Sequence, residues 1–388
     1  MSDENIKCTD SNGKLNLYNY TECDNNSSPE IKMCRGVIKD LEENIVVQTF
    51  GYTDEYVTND VDIIKDRLKN IEDWEIRYSL EGTLLRIFYY DEEWYITTHK
   101  KLNAFKSRWS CKDTFGEIFR KSLYEMFGIE AQTDDVLAEF YTQLDKEKIY
   151  LFLVRSNQEN RIVCQTHYVK KNEKIVHVGS FDKEFKFTLN NGGDEGWLGR
   201  LCVPLSPTPF QTSDEMIEYI NNVNHFEYQG LIFFDKNSSD QFKIVNPTYH
   251  QLYVLRDNNP NLRFRYLEIR NDPEKVKQLY TLYPRSADIF DEYENIIYKI
   301  ARMIYHFYVN RYIKNRYITL PREEYLIMKK CHDWYLSDRQ NNRIFTNKIK
   351  EFLAEEPPLN LYKMIRQFIS NNNNQPIKNN HMNQTRLF

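Results

Sequence analysis

The chain contains no apolar run long enough to cross a bilayer and no recognisable signal peptide. A protein without membrane spans, outside the secretory route, is the expectation. It also lacks the cysteine spacing of a metal site. Its seven cysteines (Cys8, Cys23, Cys34, Cys111, Cys164, Cys202 and Cys331) are odd in number, form no C-x-x-C pair and match no zinc-type Cys/His spacing. Reduced thiols in a reducing compartment fit this pattern. A surplus of positive charge is missing too. With 52 Lys and Arg against 57 Asp and Glu, the net charge is −5. That excludes a protein coating nucleic acid with its whole surface, yet leaves room for a local basic face. No internal repeat is visible. What the chain has in excess is aromatic side chains, 28 Tyr and 23 Phe, within an ordinary balance of 41% hydrophobic and 28% charged residues. Most serve core packing, and a minority offer faces on which bases stack. A length of 388 residues allows two or three domains.

Residues 1–30 are rich in Asn, Asp and Ser and read as a weakly ordered polar arm. Ile31–Ile38 and Glu42–Phe50 alternate in polarity and predict a hairpin, interrupted at Gly36. Val61–Leu68 has helical spacing. Trp74–Tyr90 and Trp94–His99 predict a second hairpin turning on Asp91, Glu92 and Glu93. Thr114–Phe127 reads as an amphipathic helix started by Thr114. Ile149–Val154 is an apolar strand, and Arg161–Cys164 reads as the start of another. A loop with Gly192, Gly193, Gly196 and Gly199 leads to a short helix, Ser213–Val223, with Ser213 as its cap. Tyr228–Phe234 and Gln241–Val245 predict a last hairpin. Beyond about residue 270 the period becomes 3.6, over Pro273–Leu282, Ala287–Tyr312, Arg322–Asp338, Asn347–Leu353 and Leu359–Ile369. Phe290, Tyr293, Ile297, Ile300, Ile304 and Phe307 form one apolar stripe. The sequence therefore predicts an α+β fold. A mixed, largely antiparallel β domain spans 31–270, an all-helical domain 271–370 and a disordered polar tail 371–388.

Chemistry-bearing residues fall in separated segments. In chain order these are Cys34-Arg35-Gly36, Ser79-Leu80-Glu81-Gly82, Phe152-Leu153-Val154-Arg155 with Asn160-Arg161-Ile162-Val163, Gln229-Gly230-Leu231-Ile232 and Lys243-Ile244-Val245. Their order and content resemble the motifs of the covalent nucleotidyltransferase superfamily. The phage-type RNA ligase 1 family and the RNA-ligase-like proteins of large DNA viruses are the members most similar. The resemblance implies an ATP-grasp-like adenylation (nucleotidyltransferase) domain over the β region. It also implies a lysine in a K-x-(D/E)-G turn that attacks the α-phosphate of ATP, glutamates that position nucleotide and metal, and lysines that neutralise phosphates.

This chain departs from that pattern at four positions. Ser79 stands where the lysine should be and cannot form the phosphoramidate. Leu153 and Gln229 replace glutamates, and Val245 replaces a lysine. All four changes remove charge from one inferred pocket, as expected where Mg²⁺ and triphosphate no longer pair those groups. No catalytic residue, metal or cofactor is then expected. The resemblance assigns nucleotide and phosphate contacts to Arg35, Glu81, Gly82, Arg161, Gln229 and Lys243.

Three readings of function follow. The first is a catalytically degenerate RNA-ligase-like protein, a pseudoenzyme serving as an RNA- or nucleotide-binding module or as a subunit of a protein complex in the cytoplasm, virus factory or virion. The second is an active ATP-dependent RNA ligase or capping-type guanylyltransferase, using ATP or GTP with Mg²⁺ and a displaced nucleophile. Lys100 and Lys101 are the fallback residues, because they lie at the same end of the ribbon as Ser79. The third is a structural or virion protein with a vestigial pocket. Ser79 and His99 share a hairpin end but lack the acid partner of a nucleophile–base pair. Trp74, Trp94, Trp109 and Trp197 are candidates to sandwich a base, with core packing as the competing role. In the helical region, Lys299, Arg302, Arg311, Lys314, Arg316 and Arg322 occur without an intervening acid, interleaved with Tyr305, Tyr308, Tyr312 and Tyr317. That pattern suits an RNA-facing surface, or a solvated face whose basic stems cover apolar neighbours.

Overall fold

The computed structural model describes residues 5–127, 136–155, 161–170, 173–192, 196–201 and 209–373, with side chains through 371. The chain divides into two compact units, Met1–Pro260 and Asn261–Phe388.

The first unit contains three sheets among its described residues. One joins β1 (Ile6–Ser11), β2 (Leu15–Tyr20), β3 (Arg35–Asp40) and β4 (Ile45–Val47) in that order. The polar arm read over residues 1–30 is thus corrected. Leu15 and Leu17 are fully buried in a cluster with Ile38, Val47 and Phe88. These inward leucines place β2 on the core, although the surrounding composition is that of a loop. The predicted hairpin over 31–50 also changes: Pro29–Met33 is a short helix, α1, with Ser28 as its N-cap and proline in its first turn.

The second sheet has the order β11-β10-β9-β7-β8. It is built from β7 (Thr83–Tyr90), β8 (Glu93–Thr97), β9 (Ile149–Val154), β10 (Ile175–Phe181) and β11 (Phe187–Leu189). The turn between β7 and β8 has two residues, not three. Asp91 and Glu92 both have positive φ, 47° and 63°, so Tyr90 pairs with Glu93. The third sheet is β5-β13-β12-β6, from β5 (Asp54–Val57), β6 (Trp74–Ser79), β12 (Gly230–Asp235) and β13 (Gln241–Val245), with only the β5–β13 pair parallel. Helices α2 (Val61–Arg67), α3 (Phe115–Phe127), α4 (Val136–Tyr141), α5 (Trp197–Arg200), α6 (Ser213–Asn222) and α7 (Pro247–Arg256) complete the unit. The cap of α6 is Thr212, whose hydroxyl accepts from Glu215 N–H, and not Ser213.

The second unit is helical: α8 (Leu262–Ile269), α9 (Pro273–Leu282), α10 (Ala287–Tyr308), α11 (Arg322–Ser337), α12 (Thr346–Ala354) and α13 (Pro358–Asn373). It begins earlier than residue 271 because Tyr266 of α8 stacks on Phe290 of α10 at 4.8 Å. The long helix buries Phe290, Tyr293, Ile297, Ile300 and Ile304, then Tyr308 in place of Phe307. One wider turn, Val309–Ile313, follows it. Asn371–Asn373 continue α13, and the rest of the predicted tail lies outside the described residues. No described helix is long and apolar enough to cross a membrane.

Candidate functional site

Strand β6 ends at Ser79, which pairs with Gly230 of β12, and Gly230 in turn pairs with Val245 of β13. Gly230 has φ +149°, and a Cβ there would collide with the Ile244 carbonyl. Glycine is therefore needed for these three strands to close at the point where Ser79 and Gln229 meet.

A continuous hydrogen-bond network starts at this junction. The Ser79 hydroxyl, 1% exposed, donates to Gln229 Oε1 at 2.7 Å. Lys243 Nζ donates to the same oxygen at 2.9 Å. Gln229 Nε2 donates to the Tyr249 hydroxyl at 2.9 Å, and that hydroxyl donates to Glu81 Oε2 at 3.3 Å. The Glu81 carboxylate also accepts three successive backbone N–H groups, from Ile162, from Val163 at 2.9 Å and from Cys164 at 3.0 Å. The strand expected at Arg161–Cys164 does not form, because these donors turn to Glu81 instead of to a sheet neighbour. Burial and the nearby Glu81 push the Cys164 thiol well above its ordinary range.

Above the network lies a cavity of about 640 Å³, in the range of small-molecule sites. Phe50, Leu84, Leu151, Leu153, Ile232 and Phe234 give it an apolar floor. Arg35, His99, Lys100 and Lys243 bring positive or protonatable groups, and no Asp or Glu among the described residues lines it. Arg35 donates to the Gly51 carbonyl at 3.2 Å and to Thr53 Oγ1 at 3.1 Å. Behind it the fully buried Arg86 donates to the Gly36 carbonyl and to the Thr98 carbonyl at 2.6 Å. Gly36 has φ +72°, and a Cβ there would sit 2.7 Å from Arg86 Nη1. The partners of Arg35, Arg86 and Lys243 are thus uncharged oxygens. Burial, followed by the proximity of Arg35, pushes Arg86 down to about 9. Burial also lowers Lys243, and it holds His99 well below its ordinary value together with Arg35, Arg86 and Lys100.

Of the residues assigned to nucleotide contact, Arg35, Gly82, Gln229 and Lys243 line the cavity. Glu81 and Arg161 do not: Glu81 faces the 162–164 backbone, and the buried Arg161 reaches the Val163 carbonyl at 3.4 Å. Lys100 lines the cavity, whereas Lys101 pairs with Asp10 at 3.4 Å. Leu153 lies on the floor, Val245 is in the core, and Asn160 is outside the described residues. Among the four tryptophans considered, only Trp109 reaches the cavity. Trp94 stacks on Tyr141, Trp197 on Phe127, and Trp74 meets Phe242 edge-on. Sequence reasoning missed Arg86 and Tyr249. The signal for Arg86 was a charge inside the apolar run of residues 84–88, in a strand buried on both faces. For Tyr249 it was Asn246-Pro247, an N-cap followed by an N1 proline, which opens α7.

In the helical unit, Lys299, Arg302, Lys314 and Arg316 are exposed, while Arg311 and Tyr312 are half-buried. Arg311 lies 5.6 Å from the centroids of both Tyr312 and Tyr325. Tyr312 stacks on His332 at 3.6 Å.

The structural neighbours are RNA and DNA ligases. An RNA ligase of Naegleria gruberi with AMP and Mn aligns with TM-score 0.35 and 13% identity over 51% of this chain, which spans 56% of that ligase. A putative ATP-dependent DNA ligase from Aquifex aeolicus aligns with TM-score 0.40 and 11% identity, covering 74% and 72% of the two chains. An archaeal ATP-dependent RNA ligase gives 0.38 and 9%, over 73% of each.

In sequence, the chain is similar to viral immediate-early proteins. It is 28% identical over 358 residues to the ICP-46 homolog of Invertebrate iridescent virus 3, covering 89% of this chain and 75% of that protein. The homolog from Invertebrate iridescent virus 6 is 26% identical, over 95% and 87%. ICP-46 of Frog virus 3 is 23% identical over 51% of each. No family model matches the chain.

Proposed function

We propose that this chain is a viral RNA-ligase-like protein that binds a nucleotide or an RNA phosphate in the cavity and forms no covalent lysyl-nucleotide. One observation carries the reading. At the position where the related enzymes hold their nucleophile, Ser79 offers a buried hydroxyl already donated to Gln229. A hydroxyl cannot supply the amine that a lysyl-nucleotide requires, and this one is already committed to the Gln229 oxygen. The positive cavity wall remains suited to phosphate, since Arg35, Lys100 and Lys243 line it without a competing carboxylate among the described residues. The exposed basic residues around Arg311 and Tyr312 supply a second, RNA-facing surface on the helical unit.

The test is incubation with α-labelled ATP or GTP and Mg²⁺, followed by a denaturing gel. The expected result is no covalent label. A label abolished by Lys100→Ala or Lys101→Ala would overturn the proposal and establish an active ligase with a displaced nucleophile. Failure to bind either nucleotide or RNA at low salt would instead support a structural role.

A further inference from the structure

We infer that the cavity takes its phosphate-bearing ligand without a divalent cation. The inference rests on the reading above that the cavity binds nucleotide or RNA phosphate.

The donor set is the first argument. Magnesium is held in protein sites by carboxylates, usually with substrate phosphates and water completing an octahedron of oxygens. Among the described residues no Asp or Glu lines this cavity. The two carboxylates nearest Lys243 in electrostatic terms are Glu55 and Glu81. Glu81 is committed to three backbone N–H groups and the Tyr249 hydroxyl, and Glu55 stands 3.9 Å from His250. Among the described residues, no group of three or more His, Cys, Asp or Glu is arranged to hold a metal ion. The residues present do not fit the Mg²⁺ that the ligase resemblance implies.

The charge that a metal would contribute is already built into the wall. Arg35, Lys100 and Lys243 line the cavity, Arg86 lies behind Arg35, and Arg35, Arg86 and Lys243 bond only to neutral oxygens. Burying a cation without a counter-ion costs several kcal/mol, so an entering anion relieves a cost that the empty cavity carries. A phosphate already neutralised by a divalent ion would relieve less of it, and the ion would add its own repulsion.

The apolar floor narrows the ligand further. Phe50, Leu84 and Phe234 offer apolar surface, and Trp109 offers an aromatic face at the same cavity. The match is a phosphate monoester or anhydride attached to a base, which either a free mononucleotide or the 5′-phosphate end of an RNA supplies.

The experiment is calorimetric titration of the full chain with ATP, AMP and matched 5′-phosphorylated and 5′-hydroxyl oligoribonucleotides, in EDTA and again in Mg²⁺. Binding in EDTA should be at least as tight as in Mg²⁺. Arg35→Gln, Lys243→Met and the exposed Lys100→Gln should each weaken it, by about tenfold for the first two. Because Lys100 is exposed, Lys100→Gln is expected to keep the wild-type melting temperature, and its effect then separates phosphate binding from misfolding. Preference for the 5′-phosphate over the 5′-hydroxyl oligonucleotide identifies an RNA end, whereas equal weak binding of both with tight AMP or ATP identifies a mononucleotide. Binding that needs Mg²⁺, or tightens about tenfold with it, overturns the inference while leaving nucleotide binding standing. No binding of any probe in either buffer overturns both.

Discussion

The Gln229 oxygen serves two donors that ordinarily compete, a hydroxyl and an ammonium, and it does so without a formal charge. Glu81, by contrast, turns its carboxylate to the backbone. A carboxylate accepting three N–H bonds replaces strand pairing for that segment, and charge-assisted bonds of this kind are stronger than neutral ones. Glu81→Gln should therefore lower stability by about 2–3 kcal/mol, read as a shift of the urea midpoint. A loss below about 0.5 kcal/mol would mean that the 162–164 backbone holds its shape without the carboxylate. A second residue, His177, sits buried between Tyr150 and Phe152, and burial pushes it down to about 4. The unfolded chain takes up this proton near pH 6.5, while the folded one resists until about pH 4. Stability from His177 is thus complete above pH 6.5 and falls as the pH drops through that window. Between pH 7 and 5 the loss should be about 2 kcal/mol. His177→Phe should flatten the acid limb of a melting-temperature profile by that amount, and an unchanged limb would assign it to other groups.

At the scale of elements, the helices were the legible part, because a buried stripe imposes a 3.6-residue period whatever the fold around it. Helix α9 spans Pro273–Leu282, the same bounds that its apolar period predicts. Ile149–Val154 and Gln241–Val245 were legible as well, being short apolar runs between turn residues. Strands β1 and β2 were hidden by a polar composition: of the three inward positions on β2, Leu15, Leu17 and Asn19, one is itself polar. The segment after residue 161 looked like a strand because Ile162 and Val163 are β-formers. Its conformation is set by a side chain eighty residues away, which no local pattern reveals. At the candidate site, Arg35, Gln229 and Lys243 were legible through their motif order, whereas Arg86 and Tyr249 belong to it only through tertiary packing. The turn at Asp91 and Glu92 escaped for a chemical reason. Two-residue turns with positive φ at both positions favour Asn-Gly, and this one carries two acids. Glu92→Gly should accordingly stabilise the chain by about 1 kcal/mol, measurable by chemical denaturation. A neutral or negative result would show that Glu92 makes compensating interactions in its strained conformation.

Taken whole, the molecule carries a net charge of −5, yet its basic residues are not spread evenly. The segment from Lys299 to Arg322 carries six Lys and Arg and no acid. Lys299, Arg302, Lys314, Arg316 and Arg322 are exposed within it. Arg311→Ala/Lys314→Ala/Arg316→Ala should weaken binding of single-stranded RNA and reduce the magnitude of the salt slope by about 2, if all three neutralise phosphates. An unchanged slope would assign these residues to packing over the aromatic cluster of Tyr312, Tyr325 and His332.

The carboxylate grip on the 162–164 backbone also makes Cys164 a clock. Its thiol is sealed beside Glu81 and held in the protonated, unreactive form. Alkylation there can proceed only during transient local opening, so its rate measures how often the grip releases. Cys8 is exposed and reacts without delay. Mass spectrometry that follows the two sites separately would therefore time the opening of the 162–164 segment. A ligand seated above the network should slow modification at Cys164 alone.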